Sequence, residues 1–231
     1  MTKNEFLRIP LTRKEMVWGI RYLLFQTVFL SSFLGTLNWV LPVTLDRAQL
    51  NFLFFCINFG AVAVIFRRYL VQFLRLDLKA AVRIGAVSVA LFGVYWVATT
   101  LLGYLLTAIE PGFANVNDQS IAAVSQENYW LMFFGTAVLV PITEECLYRG
   151  LIFRGLYDRS PALAWIISAA VFSAVHLLGY TGYELRTLFL CFLQYLPAGL
   201  CLAAAYRLSG SLIPPILIHA AVNTMGMIAL R

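Results

Sequence analysis

Charge is the scarcest ingredient of this sequence. Only 12% of its 231 residues are charged, while 61% are hydrophobic. A soluble domain carries ~25% charged residues, so an ordinary water-exposed globule is excluded. Cysteine is also sparse. Cys56, Cys146, Cys191 and Cys201 all lie inside apolar stretches with no paired spacing. That pattern argues against a disulfide framework or a cysteine metal centre and leaves four small buried hydrophobes. The chain has no HExxH, no GxSxG, no internal repeat and no low-complexity tract. A zincin-type metal site and a serine-hydrolase elbow therefore have no sequence support. Met1–Glu15 lacks a short apolar core followed by a small-residue cleavage site, so the first apolar run reads as a retained span.

What is present is a series of apolar runs. A membrane-spanning helix needs about 20 mostly apolar residues. Seven candidates meet or approach that length: Val17–Leu37, Leu50–Phe66, Ile84–Leu106, Tyr129–Gly150, Ala162–Leu178, Thr187–Tyr206 and Leu212–Leu230. The expected fold is an all-α, polytopic transmembrane bundle of about seven to eight helices, forming one integral membrane domain over residues 1–231. The net charge of +6 would suit nucleic acid, but the basic residues sit at the ends of apolar runs instead of in one patch. The partner they imply is the lipid bilayer, not nucleic acid. With residues 1–16 in the cytoplasm and seven alternating spans, fourteen of the 17 Lys and Arg residues fall on the cytoplasmic side. Arg47, Arg186 and Arg231 fall outside, which is the bias the positive-inside rule selects. Arg67–Arg83 reads as a basic amphipathic segment lying on the lipid surface. Glu110–Asn128 is the longest polar stretch and contains no Lys or Arg. Trp18, Trp39, Tyr129 and Trp130 read as interfacial belt residues.

Ionisable groups inside spans are costly and mark functional candidates. Glu144 and Glu145 stand in such a run, and so do both histidines of the chain, His176 and His219. Each has a companion one helical turn away: Glu145 with Arg149, Phe172 with His176, His219 with Asn223. Glu144 is rotated about 100° from Glu145, so one glutamate can pair with Arg149 while the other, Glu144, faces elsewhere. A turn near Asp158–Pro161 makes the neighbouring spans a hairpin, with Glu144 and His176 each about 20–25 Å from the turn if both legs are straight. A carboxylate, two histidines and an amide in one membrane cavity suit hydrolysis by an activated water. A carboxylate or histidine takes the proton, and a histidine or amide hydrogen-bonds the developing oxyanion. The same groups are also zinc ligands in other settings. Cys146, about 200° from Glu144, is expected to face away from that cavity.

These residues spell EExxxR at Glu144–Arg149, FxxxH at Phe172–His176 and HxxxN at His219–Asn223. In this order on successive late spans they resemble the CAAX-protease and bacteriocin-processing family of intramembrane proteases. The resemblance covers roughly residues 138–226, the expected catalytic core. It implies that Glu144 activates water with help from His176, and that His219 and Asn223 stabilise the oxyanion. Glu145, Arg149 and Phe172 would support the site. The resemblance leaves a glutamic mechanism without cofactor beside a metal-dependent one, in which Glu144, His176 and His219 would hold zinc. The implied activity is endopeptidase cleavage of a membrane-associated, prenylated or otherwise processed protein or peptide. The expected location is a prokaryotic inner membrane. A transporter with buried polar residues, and a catalytically silent scaffold or immunity protein of the same fold, are the alternatives.

Overall fold

A computed structural model of the chain describes residues 11–42, 44–73 and 78–231. Among these residues there are nine helices and no strand. They are α1 (Arg13–Val40), α2 (Arg47–Ile65), α3 (Arg67–Phe73), α4 (Leu78–Ile109), α5 (Val116–Ser125), α6 (Tyr129–Tyr157), α7 (Pro161–Val175), α8 (Leu185–Ser209) and α9 (Ile213–Ala229). Local sequence sets the helix starts. Thr12 and Glu15 form a capping box at α1, Asp46 and Gln49 form one at α2, and Asn115 caps α5. Gly210, with φ of +69°, closes α8 in the left-handed conformation that glycine adopts without strain.

Five helices, α1, α2, α4, α6 and α8, are long and apolar enough to cross a membrane. The all-helical polytopic bundle expected from the apolar runs is the fold observed. Two of the expected spans are shorter: α7 has 15 residues and α9 has 17. At 1.5 Å per residue, 15 helical residues cover about 22 Å, less than the ~30 Å hydrocarbon core. Helix α7 stops at His176, and the chain continues through turns at Gly179 and Gly182, both with positive φ. Irregular backbone at such a depth is tolerated where it lines a protein cavity.

The basic segment expected to lie on the lipid surface is divided otherwise. Arg75 falls outside the described residues. Tyr69 of α3 is buried, with its hydroxyl against that of Tyr206 on α8. Lys79 and Arg83 begin the 32-residue helix α4, where Arg83 hydrogen-bonds the Ser209 carbonyl. The span was expected to begin at Ile84, but the long arginine side chain allows the helix to begin at Leu78 and still reach a polar partner.

Helix α8 is the central element, packed against α7, α4 and α9. Its approach to α7 depends on Gly199, where an added Cβ would lie 2.9 Å from the Ala169 Cα. Gly199→Val should therefore destabilise the bundle by about 1–3 kcal/mol, the usual cost of overpacking. Thermal unfolding in detergent measures it, and an unchanged midpoint would contradict the close contact.

Candidate active site

The site is organised by helix α6, which is not a regular α-helix. It contains two wide π-helical stretches, Gly135–Leu139 and Cys146–Phe153, flanking the Glu144–Glu145 pair. Pro141 accounts for the first, because a proline inside a helix cannot donate a backbone hydrogen bond. The Val140 amide donates to the Gly135 carbonyl, five residues back. The Thr136 carbonyl thereby loses its i+4 donor, and its i+5 donor would be Pro141, which has no N–H. The Asn223 amide takes that carbonyl instead, with Nδ2 2.8 Å from it. One N–H of Asn223 thus ties α9 to the proline-broken turn of α6, and the rest of its amide borders the cavity.

The two glutamates, three and four residues after Pro141, part company. The Glu145 side chain has no solvent exposure and accepts from Arg149 Nη1 at 3.0 Å. Its Oε1 also takes the Nδ1 of His219 at 2.9 Å. Arg149, likewise fully buried, donates Nη2 to the Gly199 carbonyl at 3.0 Å and lies 4.5 Å over the Phe172 ring. One buried ion pair therefore touches α6, α7, α8 and α9. Glu144 instead borders a cavity of about 490 Å³, together with His176, His219 and Asn223. The cavity thus gathers four groups from three helices separated by up to 79 positions in the chain. Glu144 Oε2 makes no hydrogen bond among the described residues and stands 4.0 Å from His176 Nε2.

The histidine rings are fixed from their other nitrogens. His176 Nδ1 is 2.6 Å from the Phe172 carbonyl, which only accepts, so Nδ1 carries the proton and Nε2 presents a lone pair to the cavity. The His176 ring lies between Phe172, at 4.8 Å, and Tyr195, stacked at 4.2 Å with a 24° interplanar angle. Cys146 is fully buried in the apolar core and does not border the cavity.

Sequence reasoning overlooked one wall of this site. Helix α5 lies in the polar stretch 110–128, and Asn117 and Asp118 on it border the cavity. Asn117 Nδ2 donates to the Tyr195 hydroxyl at 3.0 Å, and that hydroxyl lies 3.2 Å from Asp118 Oδ1. Asn115 bonds Gln194 at 2.8 Å. The available signal was a long polar run without Lys or Arg, together with two polar residues, Gln194 and Tyr195, in the apolar middle of a helix.

A zinc ion would need Glu144, His176 and His219 to converge as ligands. Among the described residues no group of three or more His, Cys, Asp or Glu side chains is arranged to hold a metal ion. These three border one cavity.

Fold and site together define an integral membrane protein with a polar, carboxylate-bearing cavity inside a helical bundle. Residues 126–225 match the Rce1-like family, described as type II CAAX prenyl endopeptidase Rce1-like. The matched stretch runs through Glu144, His176, His219 and Asn223, and it agrees with the resemblance carried by the three motifs. The whole chain is also 26% identical to an "Uncharacterized 24.3 kDa protein" of Escherichia coli over 98% of both sequences. No solved structure matches the chain.

The glutamates should differ in stability as they differ in surroundings. Glu145→Gln leaves Arg149 as a buried charge without its ionised partner, a loss of about 3–5 kcal/mol. Glu144→Gln should leave the melting midpoint nearly unchanged. Equal midpoints for the two variants in detergent would refute the division.

Proposed function

We propose that this protein is an intramembrane endopeptidase that hydrolyses a peptide bond with a water activated by Glu144. The observation that carries this reading is the free Glu144 carboxylate oxygen facing His176 Nε2 at 4.0 Å across the cavity. That distance is too long for a direct hydrogen bond, and a water set to one side can bond both groups. Glu144 takes the proton of that water as the oxygen attacks the scissile carbonyl, and His176 orients it through its lone pair. The proton held by Glu144 passes to the departing amine. Asn223 and His219, whose Nδ1 is held by Glu145, hydrogen-bond the oxyanion. The similarity of residues 126–225 to the Rce1-like family supports cleavage of a membrane-associated protein or peptide, and we place the chain in a prokaryotic inner membrane.

Glu144→Gln should abolish cleavage of an internally quenched peptide by the purified protein. Wild-type activity should fall as pH drops through the Glu144 pKa, because only the ionised carboxylate accepts a proton. Cys146→Ser should keep most activity, since its thiol lies in the apolar core. A chelator should have little effect. Activity lost on chelation and restored by zinc would overturn the metal-free mechanism, whereas full activity in Glu144→Gln would overturn the reading itself.

Tyr195 should act as a positioning residue for His176. Tyr195→Leu removes the stacked ring and should lower kcat about 10-fold or more, on the scale that misplacement of a catalytic group costs. Tyr195→Phe keeps the ring and should lose less. Equal kcat for both variants, with only KM altered, would contradict this role.

A further inference from the structure

The position of the cavity along the bundle and the distribution of basic residues carry a second conclusion about the substrate. The bundle has two ends. At one, the start of α1, the α2–α3 junction, the α6–α7 turn and the α8–α9 turn meet. Contacts between Arg207 and Tyr157 and between Arg83 and Ser209 hold this end together. At the other lie the α1–α2 loop, helix α5, the segment after His176 and the end of α9. Arg47–Glu127 and Arg186–Glu110 ion pairs, and the Tyr129 hydroxyl on the Met227 carbonyl, join these parts.

The basic residues divide sharply between the ends. The first end carries Arg13, Lys14, Arg67, Arg68, Arg159 and Arg207 among others. The second carries Arg47, Arg186 and Arg231, of which the first two are paired with glutamates. Such an excess of Lys and Arg close to the spans marks the cytoplasmic side. The cavity reaches the opposite end. Asn117, Asp118 and Ser120 of α5, Tyr180 of the segment after α7, and Met227 and Leu230 at the close of α9 all border it. No residue of the α6–α7 or α8–α9 turns does.

We infer that the cavity holding Glu144 opens on the non-cytoplasmic face of the membrane, and that its substrate is a chain segment presented from that side. The substrate class is then an exported peptide, or the outward juxtamembrane stretch of a membrane protein, in place of a cytoplasmic C-terminal tail. The lining adds a chemical preference. It carries the carboxylates of Glu144 and Asp118 and no Lys or Arg, so it favours an uncharged or basic segment over an acidic one.

The inference rests on the proteolytic reading for its substrate class, but its geometry is tested separately. Ser120→Cys, on the cavity wall, and Ser160→Cys, in the α6–α7 turn, are each treated with a membrane-impermeant maleimide in intact cells and in inverted vesicles. The wild-type protein, with its four native cysteines, serves as the blank. Ser120→Cys should label in intact cells, and Ser160→Cys only in inverted vesicles. The reverse pattern overturns the inference whatever the enzymology. An impermeant quenched peptide should then be cleaved, in a manner lost in Glu144→Gln, by right-side-out vesicles and not by sealed inverted ones. Glu144-dependent cleavage only in inverted vesicles defeats the inference while sparing the proteolytic reading. Cleavage that survives in Glu144→Gln defeats the reading while leaving the labelling result intact.

Discussion

The buried pair of Glu145 and Arg149 is the constraint on which the rest of the site depends. Both side chains are fully excluded from solvent. Two charges in a low-dielectric interior are tolerated only when each is paired and further hydrogen-bonded. The pair meets that demand by drawing on its surroundings: the Gly199 carbonyl from α8, the Phe172 ring from α7 and His219 Nδ1 from α9. Neutralising one charge thus fixes the relative positions of four helices. It also leaves the adjacent carboxylate, Glu144, without a cation of its own and turned to the cavity.

The irregularity of α6 serves the same arrangement. A uniform helix would satisfy its own carbonyls and offer no polar anchor to a neighbour. Pro141 and the π stretch before it leave the Thr136 carbonyl without a helical donor, and Asn223 supplies one. A backbone group that would be costly to bury alone becomes the point that seats α9 beside the cavity. Membrane helices have little hydrophobic drive to associate with one another, so such polar contacts and close approaches like that at Gly199 define the packing.

Much of this was legible in the residues. Apolar runs of the necessary length announced the helical membrane bundle. The i,i+4 spacing of Glu145 and Arg149, and the rotation of Glu144 away from them, could be read directly from helical geometry and match the observed division of the two glutamates. Less legible was the short helix α7, because the apolar run continues through Leu177 and Leu178 past the turn that ends it. The contribution of α5 was hidden for a related reason. A polar stretch between spans looks like a loop, and nothing local says that Asn117 and Asp118 meet Tyr195, which lies 77 residues or more away.

The sequence by itself determined the solvent, the class of fold and which rare polar residues had to find partners, since each of these follows from composition and from periodicity within one helix. Tertiary structure decided which partner each residue found. It gave His219 to Glu145 as well as to the cavity, set Tyr195 against the His176 ring, and closed the site with α5. These pairings join residues on different helices, and they depend on axial depth and on the π turns that shift the register of α6. No spacing within a single helix encodes either.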